Sequence, residues 1–174
     1  MNFVLLPFRP GCALTALAGT IQLSAGLLVV NWELRGMIDR ICWPLPLNPA
    51  GRTFGLWEHT CVEVFLGELD APAYYEINLS PAGDWNTFSF ADVRAGMAET
   101  PLLCLVDTHR QQATGVVTLS ASFSVSANLT TPLRIGLSAV IEDTAGSLHY
   151  FALAHAERPD FHRRDNRILL LERE

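Results

Sequence analysis

Short runs that alternate every second residue, each closed by turn-forming residues, constrain this 174-residue chain more than any other feature of it. Over 28–35, Leu28, Val30, Trp32 and Leu34 point one way and Val29, Asn31, Glu33 and Arg35 the other, the two-residue period of a half-buried strand. At 61–66, Val62, Val64 and Leu66 oppose Cys61, Glu63 and Phe65; at 74–79, Tyr75, Ile77 and Leu79 oppose Tyr74, Glu76 and Asn78. The runs at 117–123, 133–141 and 148–154 repeat the pattern. Ser80-Pro81-Ala82-Gly83-Asp84, Glu142-Asp143-Thr144-Ala145-Gly146 and the 67–72 stretch supply the turns between strands. The proline-rich segment 44–55 reads as an irregular crossing at one end, and 126–131 as a short helical turn. No long stretch carries an apolar stripe at the helical period. The pattern predicts an all-β fold, a two-sheet antiparallel β-sandwich or jelly roll of roughly ten short strands. With no repeat, low-complexity tract or linker in between, it predicts a single domain over 1–174.

Composition narrows the function. Hydrophobic residues make up 49% of the chain and charged residues 17%, enough to build one core and too apolar for a disordered chain. The net charge of -6 and the lack of a basic face argue against nucleic acid. All twelve basic residues are arginine, so chemistry that needs a lysine amine, such as a Schiff base or a phosphate-loop lysine, is excluded. Cys12, Cys42, Cys61 and Cys104 form no CxxC pair, and widely spaced free thiols fit a reducing compartment. The uncharged run 11–30 is diluted by Thr15, Thr20, Gln22 and Ser24, and Pro7, Arg9 and Pro10 interrupt what precedes it. It reads as a strand, not as a leader or a membrane span. The expectation is a cytoplasmic chain with no membrane partner.

The segment LWEHTCVEVFLGELDAPAYYEINLSPAGDWNTFSF, 56–90, resembles the core of the DOMON-like and carbohydrate-binding-module-family-9-like domains. It has a tryptophan, a Val-Glu-Val-Phe strand, a turn, then a Tyr-Tyr-Glu strand that runs on to Ser-Pro-x-Gly. The later IGLSAVIED, HYFALAH and PDFH stretches are similar to the remaining strands. The resemblance implies an immunoglobulin-like or jelly-roll sandwich. It also implies either a sugar gripped between aromatic side chains or a b-type haem held by axial Met and His. Thr60-Cys61 stands where sugar-binding relatives often carry acidic, calcium-holding residues, so no metal site is expected.

Trp57 and Trp85 are the candidate sugar platforms, because a sugar's C–H-rich face packs on an indole. The bland alternative is that both close the ends of the core. Arg52, Glu76, Asn78 and Asp84 are the polar groups near them in sequence. His155, Asp160 and His162 form an H-x4-D-x-H group that either joins His59 at one end of the sandwich or is a polar surface loop. Met37 and Met97 with these histidines supply atoms for a haem pair, although no spacing links one Met to one His. Glu63 and Glu76, mid-strand in a hairpin, invite a two-carboxylate enzyme on carbohydrate; solvation beside an arginine is the commoner fate of such residues. The expectation is a non-catalytic site for a saccharide or other small polar ligand, built from Trp57, Trp85, Arg52, His59, Glu76, Asn78, His155 and His162. A haem-binding electron-transfer domain and a carbohydrate-active enzyme are the alternatives.

Overall fold

The computed structural model describes residues 1–126, 129 and 132–172. Most of the 126–131 stretch, where a helical turn was expected, lies outside them. The described strands are β1 (Asn2–Pro7), β2 (Leu14–Ser24), β3 (Leu27–Gly36), β4 (Cys61–Glu68), β5 (Tyr74–Leu79) and β6 (Trp85–Phe90). They continue with β7 (Ala98–Glu99), β8 (Leu103–Ala113), β9 (Val116–Val125), β10 (Leu133–Glu142), β11 (Leu148–Ala152) and β12 (Leu169–Leu171). Among the described residues helix is limited to single 3-10 turns such as Leu56–Glu58. No helix among the described residues is long and apolar enough to cross a membrane.

The strands follow one hydrogen-bonded path, β7-β6-β5-β4-β10-β11-β1-β2-β3-β9-β8, with β12 paired to β10 beside it. Each strand pair is antiparallel, which short turns require of the consecutive strands. The path does not divide into two separate sheets, because β1 serves both halves. Phe3 to Leu5 pair with β2 while Leu6 and Pro7 pair with β11. The sheet curls so that both halves feed one core. Ile21, Leu28, Val30, Trp32 and Phe123 from one half meet Val62, Val64, Ile77, Ile135 and Leu137 from the other. Most of them stand on the apolar face that the two-residue period gave each strand, and removing their apolar surface from water is what holds the halves together.

β3 behaves as a half-buried strand, with Leu28, Val30, Trp32 and Leu34 buried and Asn31 and Arg35 exposed. β4 does not. Its residues from Cys61 to Gly67 are all buried, and β10 from Ile135 to Ile141 is likewise. The second face of these central strands carries its own apolar cluster, Phe65, Tyr74, Phe88, Phe90, Val140, Ala152 and Phe161. The irregular segment after β11 lies over that face, and the site is built there.

Candidate functional site

Register fixes which side chains share the second face. Glu63 lies opposite Asn78 and Phe65 opposite Glu76; Glu76 lies opposite Phe88 and Tyr74 opposite Phe90. On the other side of β4, Ser138 pairs with Glu63 and Gly136 with Phe65, and Tyr150 pairs with Val140. Side chains of paired residues point the same way, so five strands present one continuous surface of aromatic rings with two glutamates near its centre.

A cavity of about 380 Å³ opens on this surface, with Trp57, Glu63, Glu76, Arg94, Tyr150 and His162 among its lining residues. That volume suits a small molecule. Gly55, in the left-handed region at φ 80°, starts the turn that carries Trp57 to the rim. Its indole meets Phe88 edge-on at 5.9 Å. Arg94 stands on the 91–97 loop and reaches across to the segment after β11, donating Nη2–H to Asp160 Oδ1 at 3.0 Å.

Glu63 and Glu76 are 3% and 4% exposed. Glu63 Oε2 accepts a hydrogen bond from Ser138 Oγ at 2.5 Å, and Glu76 Oε1 accepts one from Asn78 Nδ2 at 2.8 Å. Burial, and then the charge of Glu76, push the Glu63 carboxyl up to about 8. Burial pushes Glu76 up to about 7. Desolvation penalises the charged form of each, so near neutral pH the pair retains protons that free glutamates would have shed. The expected solvation of these two residues beside an arginine is not what the structure shows, because the segment after β11 covers the face they occupy.

His162 is also desolvated, and burial followed by the charge of Arg94 pushes it down to about 4. Its neutral ring has a role for each partner nearby. The Tyr74 hydroxyl accepts the Arg94 backbone N–H and donates to His162 Nδ1 at 2.7 Å. Glu76 Oε2 lies 3.9 Å from the same Nδ1, but an uncharged nitrogen already accepting a proton makes no ion pair. Arg167, 2% exposed, holds the segment down. Its guanidinium lies over the Tyr74 ring at 4.5 Å and donates Nη1–H to the His162 carbonyl at 3.0 Å.

Of the eight residues expected to form the site, Trp57, Glu76 and His162 line the cavity, and Asn78 supports it from below through Glu76. The other four lie elsewhere. Trp85 packs against the main core, with Phe123 at 6.3 Å on one side and the Arg52 guanidinium at 4.3 Å on another. Arg52 is engaged by Asn86 Oδ1, Thr87 Oγ1 and the Thr100 carbonyl. His59 meets Glu142 at 2.8 Å. His155 donates to the Leu6 carbonyl at 2.7 Å, tying the segment to β1. Asp84 accepts the backbone N–H groups of Leu47 and Gly51, which fastens the 44–55 crossing. Arg94, Phe90, Tyr150 and Phe161 were missed as lining residues. The available signal was the alternation that sets Phe65, Tyr74, Phe88 and Phe90 on the face that Glu63 and Glu76 share.

Haem does not fit this cavity. Met97 and His162 both line it, but so do the nearly covered carboxyl groups of Glu63 and Glu76, which make a poor wall for an apolar macrocycle. Among the described residues no group of three or more His, Cys, Asp or Glu is placed to hold a metal ion.

No protein-family model matches the sequence, and no curated protein does. Solved structures match well in shape. A protein from Bacteroides uniformis, provisionally described as carbohydrate-binding, aligns with TM-score 0.63 at 12% identity, over 100% of this chain and 86% of its own. A family 9 carbohydrate-binding module from Caldicellulosiruptor kristjanssonii in complex with cellotriose aligns with TM-score 0.59 at 10% identity, over 88% of this chain and 72% of the module. A family 9 module from the same organism in complex with glucose gives 0.52 at 10% identity, over 91% and 76%. At these identities the likeness is one of architecture, and the chain has the fold of the family 9 carbohydrate-binding modules.

Proposed function

We propose that the cavity over β4 and β5 binds a saccharide or similar small polar ligand without transforming it. Trp57 serves as the stacking platform and Glu63 and Glu76 as hydrogen-bonding partners for hydroxyl groups. The observation that carries this reading is the placement of a tryptophan and two buried carboxylates on the walls of one cavity. An indole matches the C–H face of a sugar ring, and carboxylates match its hydroxyl rim. The fold shared with modules held in complex with cellotriose and glucose supports the same choice. In this reading the two halves of the curled sheet act as the layers of a sandwich, with the ligand on the outer face of one layer. Binding is favoured over hydrolysis because both carboxyls are almost fully covered and each is already held by a neighbour. The reading extends to a reducing compartment, supported by four free cysteines.

Calorimetric titration of the whole chain with a panel of mono- and disaccharides tests the proposal. Binding by wild type that falls at least about fivefold in Trp57→Ala, in a variant still folded at the temperature of the titration, is the expected result. Absence of heat with every sugar would remove it.

A further inference from the structure

The cavity wall holds a buried carboxyl group that no base contacts directly, and that points to a kind of ligand. Glu63, 3% exposed, takes part in no ion pair among the described residues. The bases nearby make their direct contacts elsewhere. Arg94 is turned onto Asp160, Arg167 lies over Tyr74 and serves the His162 carbonyl, and His162 Nδ1 accepts the Tyr74 hydroxyl. Beside Arg94 the walls carry the rings of Trp57, Phe90, Tyr150 and Phe161, and the electron-rich faces of such rings attract a cation.

We propose that the cavity selects ligands bearing a protonated amine, with an amino sugar as the natural class, over neutral sugars of the same shape. The inference rests on the saccharide reading above and adds the charge. An ammonium group brings a positive charge into direct contact with Glu63 and Glu76, on which Arg94 acts only through its field, and it donates several hydrogen bonds to them, which charge strengthens. A neutral hydroxyl supplies the hydrogen bond without the charge. The groups facing the pair are Cys61 on β4, Tyr74 on β5, Arg94 on the 91–97 loop, and Asp160, His162 and Arg167 on the segment after β11. None of them forms an ion pair with Glu63. A cation arriving at the pair therefore favours their ionised form and expels a proton to solvent, a balance supported by the raised carboxyls.

The test is titration calorimetry of the full chain at pH 6.5 with glucosamine, glucose and N-acetylglucosamine, repeated in two buffers of different ionisation enthalpy. The expected result is glucosamine binding about tenfold or more tighter than either neutral sugar, with proton release visible as a buffer-dependent enthalpy. Glu63→Gln is expected to bring the three affinities together. Glucose or N-acetylglucosamine binding as tightly as glucosamine overturns the inference and leaves the saccharide site standing. Failure of all three to bind overturns both.

Discussion

Tyr74 Oη lies 2.7 Å from His162 Nδ1, and this contact joins a strand to the irregular segment that roofs the cavity. The phenol accepts a hydrogen bond from the Arg94 backbone and donates one to the imidazole, so a single hydroxyl links three elements. Tyr74→Phe removes it while keeping the ring stacked on Phe90 at 4.7 Å. The expected cost is about 1 kcal/mol, the net worth of a hydrogen bond with its partner left buried. The His162 ring, losing the donor that favours its neutral form, is expected to titrate above its present value of about 4. Proton NMR of the histidine ring signals against pH checks this. A curve superimposable on wild type would mean that burial alone keeps the ring uncharged.

Stability is expected to fall as pH rises from about 6.5 to 8.5. An ordinary glutamate ionises near 4.5, whereas Glu63 is pushed up to about 8 and Glu76 up to about 7. Above 4.5 the folded chain keeps protons that the unfolded chain has released. The stabilisation is complete below 4.5 and is lost as pH climbs through the folded values. His162 acts in the opposite sense. Held down to about 4 from 6.5, its contribution is present above 6.5 and is lost as pH drops toward 4. Above 6.5 only the carboxylates among these three change, and the slope is downward. Glu63→Gln, which can still accept from Ser138, should flatten the slope. At pH 8.5 it should exceed wild type by about 1 kcal/mol or more, since each pKa unit is worth about 1.4 kcal/mol. Urea midpoints across this range are the measurement, and parallel curves for the two proteins would count against the assignment.

How much of this could be read beforehand depended on periodicity. Leu28, Val30, Trp32 and Leu34 announced both a strand and its buried face, and Val62, Val64 and Ile77 did the same for the other half of the core. Periodicity says which residues share a face but not whether that face is covered. Glu63 and Glu76 fell on the expected side of their strands. They are buried because 153–167, which has no period of its own, folds over them. Trp85 and Trp57 are equally aromatic in sequence; only pairing shows that one leans on the core and the other on the cavity wall. The unbroken path through β1 was hidden too, since a strand that changes partner halfway carries no mark of it.

The two tryptophans separate binding from stability. Trp85→Ala removes packing against Phe123 and the cation–π contact with Arg52. It should cost about 3 kcal/mol or more, with affinity changed only insofar as folding is. Trp57→Ala touches Phe54 and Phe88 at their edges and should cost under about 1.5 kcal/mol while removing the platform. Thermal denaturation paired with calorimetry for both variants gives the comparison. A binding loss in Trp85→Ala at a temperature where it is fully folded would return that residue to the site.

The seat of Arg167 offers a test that leaves the cavity lining untouched. A guanidinium 2% exposed is unusual, and the chain makes room for it with two glycines. A Cβ at Gly67 would lie 3.2 Å from Arg167 Nε, and one at Gly136 would lie 3.1 Å from Arg167 Cγ and 3.4 Å from both Phe65 Cβ and the Asn166 carbonyl. Neither glycine has a positive φ, so alanine is disfavoured there by contact and not by backbone strain. Gly136→Ala meets an unyielding partner on each side, because Arg167 is pinned through the Tyr74 ring and the His162 carbonyl. Overpacking of this kind costs about 1–3 kcal/mol. Moving Arg167 also drags His162 from its place on the cavity wall, so ligand affinity should drop although no lining residue has changed. Arg167→Ala unseats the segment outright and should be worse on both counts. Urea denaturation and titration of the three proteins decide the matter. A Gly136→Ala protein with wild-type stability and affinity would mean that the arginine yields freely and that the roof of the cavity is held by other contacts.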